Sequence, residues 1–474
     1  MTSSEFKKLL NKTFQFEATA SQNYWLDSIV DFIYSEDKNV LYLLKGYAGT
    51  GKSTLIGHLV KYIIKANSRA ILMAPTGRAA KVIANYSNKK AFTIHKQIYY
   101  TKSEKGSGVQ FVLKPNKYKN TIFIVDEASM IGDDRQRAKL FENGSLLDDL
   151  MQYVDSGFNC KLLLAGDPAQ LPPVHLDISP ALDGDYLKRQ FNKIVNEWEL
   201  KEVVRQQKDS GILGNATQLR IQMNQNDIYP FAFDLSIASD IHRLQDGNEI
   251  LELLDGALTS GGLEDTVFIV RSNKRANLYN QQIRSRILFL ESELSVGDQL
   301  MVVKNNYFWL EPDSVPGFIA NGDLIKVLRI LSHHELYDFK FAKVEVQLVD
   351  YPEEKSFETV LLLNTLSSEN PSLTYEEGNK LYQKVQEDYQ HLSSKYKRFK
   401  AVKNNSYFNA LQVKYSYAIT CHKSQGGQWK NVFIEQPYLP DGPDFSYFRW
   451  LYTAVTRAQL NLYLVGFKND FFMK

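Results

Sequence analysis

The sequence predicts an α/β protein built on parallel sheets, and three features lead there. Short apolar runs recur, each ending at a polar or glycine-containing turn: NVLYLLKG at 39–46, RAILMAPTG at 69–77, TIFIVDEA at 121–128, KLLLAGD at 161–167, DTVFIVRSN at 265–273 and NLYLVGF at 461–467. Runs this continuous show no polar face, the pattern of strands covered on both sides. Helical patterns follow several of them, as in STLIGHLVKY from Ser53, and such alternation is α/β layering. Finally, 474 residues leave room for roughly three domains.

Composition narrows the class. With 44% hydrophobic and 23% charged residues the chain sits among ordinary globular proteins, which excludes a disordered polymer. No apolar run approaches the roughly 18 residues of a membrane span, so no membrane partner is expected. The opening MTSSEFKKLLNK lacks the apolar core of a secretory signal. Cys160 and Cys421 are too few for a disulfide framework or a zinc cluster, and a reduced, cytoplasmic setting is expected. Lys+Arg is 56 against 54 for Asp+Glu, a formal charge of +2. That balance neither demands nor forbids a nucleic-acid partner, because the placement of the basic residues decides.

Two stretches break the α/β pattern. Residues 96–120 read as a polar hairpin with its turn near Gly106–Gly108. Residues 328–411 begin as alternating strands (KVEVQLVD, SFETVLLL) and become a charged helical stretch from Tyr375 to about Lys403. Both read as inserts. The expected division is a first core at 1–95 and 121–200 around the 96–120 hairpin, and a second core at 201–327 and 412–474 around the 328–411 insert.

The chemistry concentrates at Gly46-Tyr47-Ala48-Gly49-Thr50-Gly51-Lys52-Ser53, which matches GxxxxGK[ST] directly between a strand and a helix. Glycines let the backbone wrap a phosphate and aim N–H groups at it. Lys52 would reach the β- and γ-phosphates and Ser53 would ligate Mg²⁺, with Thr54 following in the same turn. ATP and Mg²⁺ are therefore the expected cofactors. Asp126 and Glu127 end the strand IFIV, which suits Asp126 as the metal-side carboxylate and Glu127 as the base that orients water. GDPAQLPPV at 166–174 follows another buried-type strand, whose end could hold Gln170 near the γ-phosphate; read by itself it is better taken as a turn with two prolines.

The ordered set of motifs resembles the superfamily 1 helicases of the 5′→3′ RecD/Dda type. It comprises Gln22 in ATASQNYWL, GYAGTGKS, APTGRAAK from Ala74, TIHK from Thr93, VDEASM and GDPAQLPPV. VVRQ ending at Gln206, ANGD at 320–323, AITCHKSQG from Ala418 and LYTAVTRA from Leu451 complete it.

That resemblance implies two RecA-like parallel-sheet cores forming an ATP cleft, each with an inserted smaller subdomain, and an ATP-dependent 5′→3′ DNA helicase. Gln22 would contact adenine, and Arg205 and Arg457 would reach across the cleft as arginine fingers. Pro75, Thr76, Arg78, Thr93 and His95 of the first core, with Thr420, His422 and Lys423 of the second, would lie along the single strand. Hydroxyls and cations at loop ends suit phosphate contacts that hold register without reading sequence. The 96–120 hairpin corresponds to the strand-splitting pin, with Phe111 and Tyr99 or Tyr100 as candidates to stack on the junction base pair. The other reading of these aromatics is that they pack the hairpin against the core. Lys395-Tyr396-Lys397-Arg398-Phe399-Lys400 with Lys403 reads either as a DNA-facing patch or as a solvated helix face. Implied partners are single-stranded DNA, duplex junctions and replication or repair proteins, bound by a monomer. A translocase that does not unwind and a non-motor subunit of a recombination or nuclease complex remain as alternatives.

Overall fold

The apolar runs of the first half become neighbours in one sheet. In the structure, a computed structural model that describes residues 1–103, 109–133, 143–174, 176–204, 210–225, 229, 231–311, 314 and 316–473, the chain first lays down β1 (Val40–Gly46), β2 (Arg69–Ala74) and β3 (Ala91–Thr93). A hairpin of β4 (Tyr99–Ser103) and β5 (Val109–Leu113) follows, and then β6 (Thr121–Val125), β7 (Lys161–Gly166) and β8 (Ile194–Leu200). Apart from the hairpin, these strands pair in parallel in the order β3-β2-β6-β7-β1-β8. Both central strands β6 and β7 are buried along their whole length. Successive side chains point to opposite faces. Tyr42 and Leu44 pack with the layer containing helices Ala20–Tyr34 and Lys52–Tyr62, while Leu41 and Leu43 face the layer of helix Leu146–Asp155.

Register places the chemistry. Lys45 lies opposite Gly166, Val125 opposite Leu164, Met73 opposite Val125, and Ala74 opposite Thr93. The loops after β1, β2, β6 and β7 therefore leave the sheet at one carboxyl edge, where open α/β sheets bind ligands.

The second sheet starts with β9 (Ile241–Leu244) and β10 (Thr266–Val270). The chain then builds a closed barrel from β11 (Gln299–Val302), β12 (Leu324–Leu336), β13 (Phe339–Leu348), β14 (Phe357–Leu362) and β15 (Leu411–Tyr415). It returns through β16 (Ala418–Thr420), β17 (Trp429–Glu435) and β18 (Ala458–Val465), giving a parallel sheet in the order β16-β10-β17-β18-β9. The barrel takes in more chain than the 328–411 insert expected from sequence, because β11 pairs with β15 to close it. Its charged segment forms helices Tyr375–Glu387 and Lys395–Lys403. Leu381, Val385 and Val402 dock these helices on Phe339, Phe341 and Val360 of the barrel, and the Tyr396 ring stays exposed.

One buried ion pair fixes the foot of the barrel to the second core. Arg284, on helix Asn273–Arg286, grips Asp298 with Nε to Oδ1 and Nη2 to Oδ2, both at 2.9 Å, and the Tyr417 hydroxyl donates to Asp298 Oδ1 at 2.9 Å. Such a pair adds little over an apolar replacement, but removing one partner leaves a buried charge uncompensated. Arg284→Ala should lower stability by about 3–5 kcal/mol, read as a fall in the urea midpoint of the second core.

Candidate active site between the two cores

The P-loop is closed by its own threonine. Thr50 Oγ1 donates to the Tyr47 carbonyl at 2.7 Å, and the Thr50 carbonyl accepts from Gln22 Nε2 at 2.9 Å. Gln22 is buried, and its Oε1 accepts from Thr19 N at 3.0 Å in the capping box of helix Ala20–Tyr34. Gln22 thus holds the P-loop backbone. Gly51 has φ +78°, and a Cβ there would fall 2.6 Å from Gln22 Nε2, so both backbone conformation and space require glycine. Gly46 ends β1, and Gly49 also has positive φ. Lys52, Ser53 and Thr54 form the first turn of helix Lys52–Tyr62, whose free amides point at the loop.

Carboxylates converge on Lys52. Its Nζ lies 3.4 Å from Asp126 Oδ1, with side-chain exposures of 10% and 6%. Burial works against the ammonium, but the fields of Asp126, Glu127 and Asp167 outweigh it and raise its pKa. Burial raises the pKa of Asp167, opposed by Lys52 and by a hydrogen bond from Tyr452. Ser53 Oγ stands 3.5 Å from Asp126 Oδ2. A hydroxyl and a carboxylate oxygen brought together beside a phosphate-binding loop are hard oxygen donors of the kind Mg²⁺ takes, so the residues present fit that ion. Glu127 holds φ +55°, a left-handed conformation that non-glycine residues keep at strained functional corners. Gln170 is buried, and its Oε1 has no hydrogen-bond partner among the described residues.

The second core reaches this edge through helix Phe445–Val455. The Tyr452 hydroxyl accepts from Ala48 N at 3.0 Å and donates to Asp167 Oδ2 at 2.8 Å. Next to it, Thr453 Oγ1 accepts from Leu171 N at 2.8 Å, and Gln425 Nε2 donates to the Leu171 carbonyl at 2.7 Å. Arg220 lays its guanidinium 4.1 Å over the ring of P-loop Tyr47. Arg457 is buried and donates to the carbonyls of Thr453 (2.9 Å) and Gly427 (3.2 Å) and to Thr456 Oγ1 (3.2 Å), all in its own core. The structure therefore does not bring Arg457 onto the P-loop. Arg205 lies outside the described residues. Asp167 and Tyr452 join the site although sequence reasoning did not single them out; the signal available was their place inside GDPAQLPPV and LYTAVTRA.

The residues implied at DNA divide by environment. Thr76 and Thr93 cap helices Gly77–Ser87 and Ile94–Ile98, their Oγ1 atoms accepting from Ala79 N and Lys96 N at 3.2 Å each. Pro75, half-buried, leaves β2 just before Thr76. Arg78 stacks its guanidinium 3.9 Å over Trp429 of the second core. Beside it, a Cβ on Gly426 would fall 2.8 Å from Ala79 Cβ and 3.3 Å from Thr76 Oγ1, so the cores touch here as well. Burial pushes His95 down to about 4, which makes it neutral and no phosphate cation. Thr420 is buried at the end of β16, while His422 is exposed and lowered in pKa by partial burial. Lys423 is lowered to about 8 by burial, with Lys414 adding repulsion. Phe111 pairs with Thr101 in the hairpin backbone, but its side chain and the turn at 104–108 lie outside the described residues. Tyr99 is buried with its hydroxyl on Asp149 Oδ2 at 2.8 Å, so it packs the hairpin on the core, and Tyr100 is the exposed ring.

Comparison with known proteins follows this geometry. Residues 29–233 match the family model of an AAA domain, and residues 415–465 match that of a UvrD-like helicase C-terminal domain. The ATP-dependent DNA helicase dda of Enterobacteria phage T4 is 23% identical over 458 residues, covering 89% of this chain and 93% of its own. The ATP-dependent RecD2 DNA helicase of Deinococcus radiodurans is 34% identical over 134 residues, 28% of this chain and 16% of its own. A solved structure of Pif1 helicase from Bacteroides with ADP-AlF3 and single-stranded DNA covers 97% of this chain and 95% of its own, at 15% identity and TM-score 0.48. With a match to an AAA domain followed by a match to a UvrD-like helicase C-terminal domain, and with relatives of both the Dda and RecD kinds, the chain is similar to the superfamily 1 helicases of the Dda/RecD type.

Proposed function

We propose that this protein is an ATP-dependent DNA helicase that moves 5′→3′ on single-stranded DNA and parts duplex ahead of it. The observation that carries the reading is the double meeting of the two cores. They touch at the P-loop through Tyr452 and again where Gly426 approaches Thr76, so a change at the nucleotide edge is also a change among the loop-end residues proposed to hold the strand.

In this reading the P-loop amides and Lys52 hold the phosphates, and Gln22 holds the loop while facing the base. Glu127 takes the proton of the attacking water, and the free Oε1 of Gln170 orients that water or registers the γ-phosphate. Ser53 and Asp126 would hold Mg²⁺, which would supply charge neutralisation at the phosphates. Arg457 acts as a finger once it releases Gly427 and Thr453, with Arg205 as the second guanidinium. Thr76, Thr93, Thr420, His422 and Lys423, with Pro75 and Arg78 shaping the groove, hold the backbone of the strand. Alternating grip as the cleft closes and opens turns hydrolysis into motion. Phe111 and Tyr100 of the hairpin would stack on the junction base pair. Replication or repair proteins would be its partners, with the protein acting as a monomer in the cytoplasm.

Three outcomes are expected. Lys52→Ala should abolish ATP hydrolysis while the circular-dichroism spectrum stays native; retained DNA-stimulated turnover would remove the P-loop assignment. Because the pKa of Lys423 is lowered to about 8, its charge is present below that pH and lost above it. The affinity for single-stranded DNA should therefore fall from pH 7 to 9. Lys423→Arg should reduce that fall, since a guanidinium keeps its proton, and an unchanged pH dependence would take Lys423 out of the interface. Strand displacement should need a 5′ tail: activity with only a 3′ tail would reverse the proposed direction, and DNA-stimulated ATPase without displacement would favour a translocase.

A further inference from the structure

The helix that brings the second core to the nucleotide edge does so through one phenol oxygen. Tyr452 is 1% exposed, and a tyrosine hydroxyl offers one donor and acceptor capacity. Both are used on the first core: Ala48 N donates to it at 3.0 Å, and it donates to Asp167 Oδ2 at 2.8 Å. These two partners follow β1 and β7, strands held level by the Lys45–Gly166 register. The other Asp167 oxygen accepts from Ala169 N at 2.9 Å and so fixes the turn that carries Gln170. The following residue, Leu171, donates its N–H to Thr453, the neighbour of Tyr452. A single helix of the second core thereby holds the P-loop and the Gln170 turn together.

We infer that Tyr452 is a positioning residue for ATP hydrolysis, its hydroxyl setting the P-loop against the Asp167–Gln170 turn whenever the cores close. The inference rests on the ATPase reading above and adds a residue and a role to it. Arg457 and Arg449 share this helix or its end, yet Arg457 is bonded within its own core and Arg449 donates to the Asp177 carbonyl at 2.5 Å, farther along the 167–177 segment. Among the described residues neither bridges the P-loop to Asp167, as the Tyr452 hydroxyl does. Among the described residues the hydroxyl makes no hydrogen bond to Lys52, Ser53 or Thr54, where the phosphates are proposed to bind, so its loss should spare ATP binding. It should instead loosen the arrangement needed for turnover, because Asp167 Oδ2 and the Ala48 N–H would both lose a buried partner.

The test is steady-state ATPase of wild type and Tyr452→Phe with saturating single-stranded DNA, titrated with ATP. Phenylalanine keeps the ring in its core, and a matching Tm would show that the fold is intact. The expected result is a kcat about tenfold lower, the size of one lost hydrogen bond to a charged group, with KM for ATP changed less than about twofold. An unchanged kcat, or a rise in KM that accounts for the loss in kcat/KM, would overturn the positioning role. If wild type is active and the variant matches it, the inference falls by itself; if wild type hydrolyses no ATP, the ATPase reading falls first and takes the inference with it.

Discussion

The ammonium of Lys52 is the charge around which the nucleotide edge is arranged. It is nearly buried, and a buried cation is stable only where opposite charge repays lost hydration. Asp126 supplies contact at 3.4 Å, while Glu127 and Asp167 add their fields. Three carboxylates around one ammonium leave the pocket with surplus negative charge, which suits a site built to receive a divalent cation together with its phosphates. Burial raises the pKa of Asp167, and its carboxylate takes the Tyr452 hydroxyl as a donor in place of lost water. Local electrostatics thus recruits a residue from the other core, and the cleft is specified by charge as much as by shape.

A second set of contacts runs from this edge toward the groove. Arg457 donates to the Gly427 carbonyl, and its own carbonyl accepts from Trp429 N at 3.0 Å; the Trp429 ring carries the Arg78 guanidinium at 3.9 Å. Nucleotide-side and strand-side candidates are therefore in continuous contact through one turn of the second core. A helix shift that frees Arg457 would also disturb the surface on which Arg78 lies. This is the type of bistable packing by which small displacements at one site are felt at another.

Much of this was legible before any coordinates. The six apolar runs all became strands, because a strand covered on both faces leaves an unbroken apolar record. Other sheet strands left no such record: β3 and β16 are only three residues long and β9 four, β17 has the polar Lys430 and Asn431 directly after Trp429, and β8, an edge strand reading IVNEWEL, keeps Ile194, Asn196 and Glu197 exposed. The barrel appeared in the sequence as alternating strands, but its closure depends on β11 meeting β15 across more than a hundred residues, and no local pattern encodes that. At the site, the P-loop and Asp126 were visible because their chemistry is carried by residue type and strand position. Tyr452 was hidden, since RWLYTAV reads as an apolar helix and its partner Asp167 is 285 residues away. Arg457 was visible by family likeness, while its bonds to Gly427 and Thr453 could come only from the fold.

The interrupted second sheet bears on how the chain reaches its native state. β10 and β16 lie side by side and pair in parallel, yet the whole barrel separates them in the chain. Joining them directly from an open coil would mean closing a very long loop, and long-range parallel pairing is the slow part of folding. Pairing of β11 with β15 brings the two ends of the inserted segment together, so a barrel that forms first turns that long loop into a short link. The second core then has an order of assembly written into its topology, the insert before the sheet that hosts it.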